Sequence, residues 1–294
     1  MRIKTFMLVL LAITSAQSQK LSDIAPNIVK ALNSTQGTFA VGIYDLQRHE
    51  SFFINPDTVF HAASTMKTPV MIEIYKQAEA GNFKLDDEII ITKEFKSIVD
   101  SSAYSLDAGD DSDSALYQLA GSKKTIRELV TLMITVSSNL ATNILIELVD
   151  AKNVMATMKS IGANDIRVLR GVEDIKAYRQ GLNNQVTARD LVTVFKALVE
   201  EKFTDQEATA EMMNILSEQK FRSIIPALLP SGTRVAHKTG SITGVEHDSG
   251  IVFLPDGRSY VVVLLSKNLV DAKTGKHALA NVSKRIYDFF VRGN

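Results

Sequence analysis

The chain contains no cysteine. That excludes disulfides, thiolate nucleophiles and cysteine-held metals, and no lipid anchor at a cleavage site is expected. The five histidines (His49, His61, His237, His247, His277) show no paired spacing of a metal site, although His61 and His237 lie close to polar motifs. Neither sign of charge is in excess: 33 Lys and Arg balance 33 Asp and Glu. Without a basic field, nucleic acid is not expected as a partner. No internal repeat is present, and beyond the N-terminus no apolar run reaches membrane-spanning length without charges. What remains is 294 residues, 45% of them apolar, enough for a large core in one or two domains.

The first residues read as a signal peptide. Arg2 and Lys4 precede an apolar run from Phe6 to Ile13 that is too short to span a bilayer. Ala16-Gln17-Ser18 fits a small-x-small cleavage site, which would start the mature chain at Gln19. The expectation is a periplasmic or secreted protein without membrane insertion in its mature form. Nothing points to an obligate oligomer, so a monomer is expected.

Periodicity organises the rest. Residues 22–33 form a first helix, and Thr38–Tyr44 and Glu50–Ile54 two strands around a polar turn. A helix from Ser64 to Ala80 carries Met66, Val70, Met71, Ile74, Tyr75 and Ala78 as its buried stripe, and Gly81 ends it. Residues 97–114 are dominated by Ser and Asp and read as a solvated loop; no glutamate completes a calcium loop there. Tyr104 is its one aromatic, able to line a cleft or to sit exposed. Helices resume over 126–135, 140–149, 154–161, 187–200 and 206–219. Strands return at 234–237, 250–254 and 260–266, and a helix over 278–291 closes the chain. Strands at both ends and helices between predict an α+β fold. An antiparallel sheet flanked by the terminal helices (19–63 and 232–294) would face an all-helical insertion (64–231), with the cleft between them.

Three short motifs carry the chemistry. In Ser64-Thr65-Met66-Lys67, positions i and i+3 of a helix share a face, so Lys67 can serve as base for a Ser64 nucleophile. Ser64 would also sit in the first helical turn, where developing negative charge is favoured. Ser137-Ser138-Asn139 lies where one helix ends and the next begins, which also suits helix capping. Lys238-Thr239-Gly240, followed by Ser241, ends a strand-like stretch; the lysine supplies positive charge and Gly240 permits close approach. Two of the patterns recur. Ser217-Glu218-Gln219-Lys220 lies at the polar end of a surface helix, and Lys273-Thr274-Gly275 reads as a polar turn. Position selects Ser64 and Lys238 over these copies.

Taken in order, the three motifs resemble the signature of class A β-lactamases and penicillin-binding serine hydrolases, S-x-x-K, S-D-N and K-T-G. The resemblance runs over nearly all of the mature chain. It implies acylation of Ser64 by a small-molecule β-lactam, with Lys67 or Glu173 and a water as base, and backbone N–H groups of Ser64 and Ser241 as oxyanion hole. It further implies that Ser137 passes a proton to the leaving nitrogen and that Asn139 holds the substrate's amide side chain. Lys238, Thr239 and Ser241 would bind the substrate carboxylate. Glu173, in Arg170-Gly171-Val172-Glu173-Asp174, best matches the family's deacylating glutamate, with Asp174 as its near alternative. No cofactor or metal is implied. A D-alanyl-D-alanine peptidase, an esterase, or a penicillin-binding sensor that stays acylated would use the same scaffold.

Three departures stand out. Ser138 occupies the place of the family's aspartate, and a rearranged hydrogen bond is expected there. Ala177 occupies the place of an asparagine that helps hold the deacylating water; Asn183 or Asn184 are the nearby substitutes. Residues 245–248, Val-Glu-His-Asp, lack the arginine that often supports carboxylate binding.

Overall fold

A computed structural model describes residues 20–292. The leader expected over residues 1–18 lies outside them. The described residues open with a 3-10 turn, Leu21–Ile24, and α1 (Ala25–Leu32), whose first turn carries Pro26. β1 (Thr38–Asp45) and β2 (Glu50–Ile54) follow as a hairpin. The chain then leaves the sheet through β3 (Phe60–His61), a 3-10 turn at Ala63–Met66 and α2 (Lys67–Glu79). The middle section runs β4 (Glu88–Ile90), β5 (Glu94–Lys96), β6 (Ala103–Ser105), α3 (Ser114–Tyr117) and β7 (Lys123–Thr125). It continues through α4 (Ile126–Thr135), α5 (Asn139–Val149), α6 (Ala151–Ser160), α7 (Ile175–Arg179), β8 (Gln185–Val186), α8 (Ala188–Val199) and α9 (Gln206–Ser217). The sheet resumes with β9 (Val235–Ile242), β10 (Val245–Phe253) and β11 (Ser259–Lys267), and α10 (Ala272–Arg292) ends the described chain.

The main sheet has the order β2-β1-β11-β10-β9, antiparallel throughout. This is the α+β class expected from the sequence. The apolar run Tyr260–Leu265 does not alternate with polar residues because both faces of β11 are covered. Val261, Val263 and Leu265 join the core under the helical block. Tyr260, Val262 and Leu264 pack with Ile28, Leu279, Ile286 and Phe290 of α1 and α10. Each such fully buried aliphatic contributes about 1.5–3 kcal/mol, so the central strand anchors two cores at once.

α2 departs from the one-stripe expectation. Every residue from Lys67 to Tyr75 is buried, and Ala78 is only partly so. The helix runs through the middle of the helical block, where some of its polar members have internal partners while the hydroxyls of Thr68 and Tyr75 have none. Glu73, for example, accepts from Thr157 Oγ1 (2.6 Å) and Gln77 Nε2 (2.8 Å). Gly81, at φ +81°, takes the left-handed conformation just past its C-terminus.

Three further sequence expectations change. Residues 97–114 are not simply solvated: Ser97 and Leu106 are buried, and β6 pairs with β5. β9 does not stop before Lys238-Thr239-Gly240 but carries it mid-strand and turns at Thr243-Gly244 into β10. The second Lys-Thr-Gly, Lys273–Gly275, is the first turn of α10, started by Asp271, whose Oδ2 accepts from Thr274 N (2.8 Å).

Candidate active site

Ser64 lies in the 3-10 turn that leads into α2. Two histidines fix this turn. His61 Nδ1 accepts from Ala63 N (3.0 Å), and Ala63 itself has φ +45°, a left-handed position for a non-glycine residue. His247 is buried, and burial lowers its pKa to about 4. The neutral ring donates from Nε2 to the His61 carbonyl (2.9 Å) and accepts at Nδ1 from Ser266 N (3.1 Å). These two histidines thus serve structure around the nucleophile.

Gly240 brings β9 against that turn. A Cβ at Gly240 would sit 3.1 Å from Ser64 N and from Thr65 N, and 3.2 Å from Ala62 O. A side chain there would crowd this backbone, so the glycine favours the close approach of the strand to the amide of Ser64. Ser64 Oγ makes no hydrogen bond to any described residue.

Lys67 is hydrogen-bonded to the second motif. Its Nζ donates to Ser137 O (2.6 Å), Asn139 Oδ1 (3.0 Å) and Ser137 Oγ (3.2 Å). Ser137 has φ +60°, which turns both its carbonyl and its hydroxyl toward the lysine. On the other side Lys238 Nζ donates to the same Ser137 Oγ (3.1 Å) and to Thr239 O (2.9 Å). One hydroxyl therefore bridges two fully buried lysines. Burial lowers Lys67 to about 7, opposed by the charges of Asp111 and Glu173. Lys238 is pushed well down, by burial first and then by the charge of Lys67, with Asp248 opposing. Asp248 accepts from Ile225 N (2.9 Å) and pairs with His237 Nδ1 (2.8 Å) directly behind the strand.

Ser138 is the N-cap of α5, its Oγ accepting from Ala141 N (3.3 Å). Asn139 begins that helix and points its amide across the cleft. While Oδ1 accepts from Lys67, Nδ2 donates to Glu173 Oε1 (2.8 Å). Burial raises the Glu173 carboxyl above its ordinary value, and the hydrogen bond from Asn139 counters this.

The Glu173 loop is pinned from behind. Asn143 Oδ1 accepts from Val172 N (2.6 Å), and its Nδ2 donates to Val172 O (3.1 Å) and Tyr104 Oη (3.2 Å). Tyr104 in turn donates to Val172 O (3.3 Å), so it supports the loop's inner side. Asp174 is turned away from the cleft chemistry. It caps α7 through Ala177 N (3.0 Å) and accepts from Ser97 Oγ and Ile98 N, both 3.0 Å. Asn183 and Asn184 do not replace the side chain absent at Ala177. Asn184 accepts at Oδ1 from Leu169 N (2.8 Å) and donates to Arg170 O (2.9 Å), and Asn183 Oδ1 accepts from Arg170 Nη2 (3.4 Å). Both close the base of the loop.

Two cavities meet at Ser64. One, of about 350 Å³, is lined by Ser64, Asn139, Glu173, Tyr178, Ser241 and Ile242. The other, of about 250 Å³, is lined by Ser64, Ser137, Thr239, Ser241, Glu246 and Lys276. A cavity of about 370 Å³ behind the Glu173 loop, between Tyr104, Asn143 and Arg170, touches none of these reacting groups. Lys276 is a site residue the sequence did not reveal. It projects from the first turns of α10 and pairs with Glu246 Oε1 (3.2 Å), which also accepts from Ser241 Oγ (3.0 Å). The one hint was the missing arginine over 245–248. Among the described residues, no cluster of His, Asp or Glu is arranged to hold a metal ion, and no helix is long and apolar enough to cross a membrane.

The chain is similar to known proteins over most of its length. The profile of the family described as "Beta-lactamase enzyme family" matches residues 20–290. The extended-spectrum beta-lactamase PER-1 of Pseudomonas aeruginosa is 26% identical over 291 residues, 95% of this chain and 90% of that protein. The crystal structure of a beta-lactamase from Sphaerobacter thermophilus superposes with a TM-score of 0.75 at 30% identity, covering 88% of this chain and 94% of that one. A point mutant of PBP-A, solved as an acyl-enzyme complex with penicillin G, superposes with a TM-score of 0.79 at 24% identity, covering 94% of this chain and 98% of that one.

Proposed function

Since the chain belongs to the beta-lactamase enzyme family, we propose that it hydrolyses β-lactams through an acyl-enzyme on Ser64. The observation that carries this reading is the shared hydrogen bonding of Lys67 and Lys238 to Ser137, beside a nucleophile backed by Gly240. In the proposed path the Ser64 hydroxyl attacks the ring carbonyl and its proton passes to Lys67, which a pKa near 7 leaves partly free as amine. Backbone N–H groups of Ser64 and Ser241 take the oxyanion, each typically worth roughly 100- to 1000-fold in rate. As the C–N bond breaks, Ser137 Oγ gives its proton to the leaving nitrogen and is resupplied by Lys67. The substrate carboxylate lies against Lys238, Thr239 and Ser241. An anion there favours the charged form of Lys238, which burial otherwise disfavours. The Asn139 amide keeps a second N–H for the substrate's acylamino carbonyl.

Glu173 then takes a proton from water, the hydroxide attacks the ester carbon, and Ser64 recovers its proton as the product acid leaves. No cofactor enters this path. The substrate would lie between the sheet unit (19–63 and 232–294) and the helical unit (64–231), in a monomer. The leader-like N-terminus supports export to the periplasm or beyond. A second reading, a penicillin-binding protein that acylates and releases slowly, is favoured by one observation: Ala177 offers no side-chain donor near Glu173, and Asn183 and Asn184 are engaged elsewhere.

The test is to trap the intermediate. Glu173→Gln protein mixed with a penicillin should gain the mass of the intact drug on the peptide holding Ser64, and Ser64→Ala protein should gain none. Labelling that survives Ser64→Ala, or absence of labelling in both, contradicts the proposal.

A further inference from the structure

The second motif lacks its acid, yet an acid stands beside it. Asp111, from the Ser- and Asp-rich segment, accepts from Asn139 N at both oxygens (3.0 and 2.9 Å) and from Leu140 N (2.9 Å). These are the first two amides of α5, which have no acceptor within their own helix. Ser138 does not serve them, since its hydroxyl takes the third, Ala141 N. A carboxylate there also suits the positive end of the helix dipole. Asp111 is held in turn by Tyr117 Oη, which donates to it (3.0 Å), and by Asp113 N (3.1 Å). Its contact is with the one residue whose side chain joins Lys67 to Glu173.

We propose that Asp111 is a positioning residue that stands in for the acid absent at position 138: by fixing the Asn139 backbone it sets the Lys67–Asn139–Glu173 bridge that both half-reactions use. This rests on the hydrolase reading above. The titratable groups facing Glu173 are Lys67 on α2, Tyr117 on α3, and Asp110 and Asp111 on the segment before α3, where the backbone N–H of Asp107 also donates to Glu173. Asp111 adds to the upward push on Glu173, though less than burial does, so its charge as well as its geometry reaches the bridge.

The experiment compares wild type, Asp111→Asn and Asp111→Ala in pre-steady-state penicillin turnover, with melting curves in parallel. Loss of a charge-assisted hydrogen bond predicts deacylation slowed by about ten- to a hundredfold in Asp111→Ala, with KM changing much less. Asp111→Asn keeps the shape and one acceptor oxygen, so it carries the test if the alanine variant does not fold. With the negative charge gone, its acid limb of deacylation should move to lower pH, a shift that a purely structural cap would not produce. Rates within twofold of wild type, or a loss that follows only the fraction folded with the acid limb unmoved, overturn the proposal. A wild type that never acylates sinks the hydrolase reading itself, a result distinct from an active wild type indifferent to Asp111.

Discussion

Acylation of wild-type protein by a penicillin should titrate with Lys67. Its ammonium is wholly buried, which penalises the cation and brings the pKa to about 7, while the charges of Asp111 and Glu173 hold it from falling further. Below that point the base is lost tenfold per pH unit. The free amine should be about 1% of the total at pH 5 and about 99% at pH 9, so the acylation rate should drop about 100-fold between those limits. The assay is a pH jump from neutral buffer, quenching within milliseconds, and intact mass to count acylated chains before unfolding intervenes. Because Glu173 helps to keep Lys67 charged, Glu173→Gln should move the midpoint lower still. Lys67→Arg should not acylate at all, since a guanidinium does not release its proton. A rate that is flat from pH 5.5 to 9, or a midpoint below 6 as for a carboxylate, would refute Lys67 as the base and assign the proton to Glu173 through a water.

Three other outcomes follow from the same geometry. Glu173→Gln should lower kcat by roughly 100- to 10,000-fold and leave the acyl-enzyme as the resting species in intact mass; unchanged deacylation would remove Glu173 from its role. Asn143→Ala deletes three hydrogen bonds that pin Val172 and Tyr104. It should cost about 1–3 kcal/mol of stability and slow deacylation more than acylation, as read by thermal melts and single-turnover kinetics. Gly240→Ala forces a methyl to within 3.1 Å of the Ser64 and Thr65 amides. Its acylation rate should fall by at least about tenfold while the protein stays folded by circular dichroism; a rate like that of wild type would mean β9 does not frame the oxyanion site.

Much of this was legible because the chemistry sits in short local patterns. Ser64 and Lys67 are one helical turn apart, and a largely apolar run follows them. What was missed depends on partners remote in sequence. Asp111 looks like any solvated loop acid until α5 presents its free amides, and Ser97 looks exposed until Asp174 reaches it. The polar Lys-Thr-Gly of β9 reads as a strand end, yet the close pass of Gly240 over the Ser64 turn buries that segment within the strand. Lys276 was hidden in a second Lys-Thr-Gly that reads as a turn. Asp271 caps it into a helix, and that helix carries the lysine to Glu246 at the cleft. The departure at Ala177 was visible in the sequence. That Asn183 and Asn184 are tied to Arg170 and Leu169 required three dimensions.

Sustained turnover separates a hydrolase from a protein that stays acylated, and ring opening reports it. Purified protein is mixed with an excess of a chromogenic cephalosporin, and ring opening is followed by absorbance while intact mass is sampled. The account predicts many turnovers per molecule, with the acyl-enzyme a minor species at steady state. One equivalent of ring opening followed by a persistent adduct would contradict hydrolysis and favour the slow-release reading, and no opening and no adduct would contradict the β-lactam chemistry altogether.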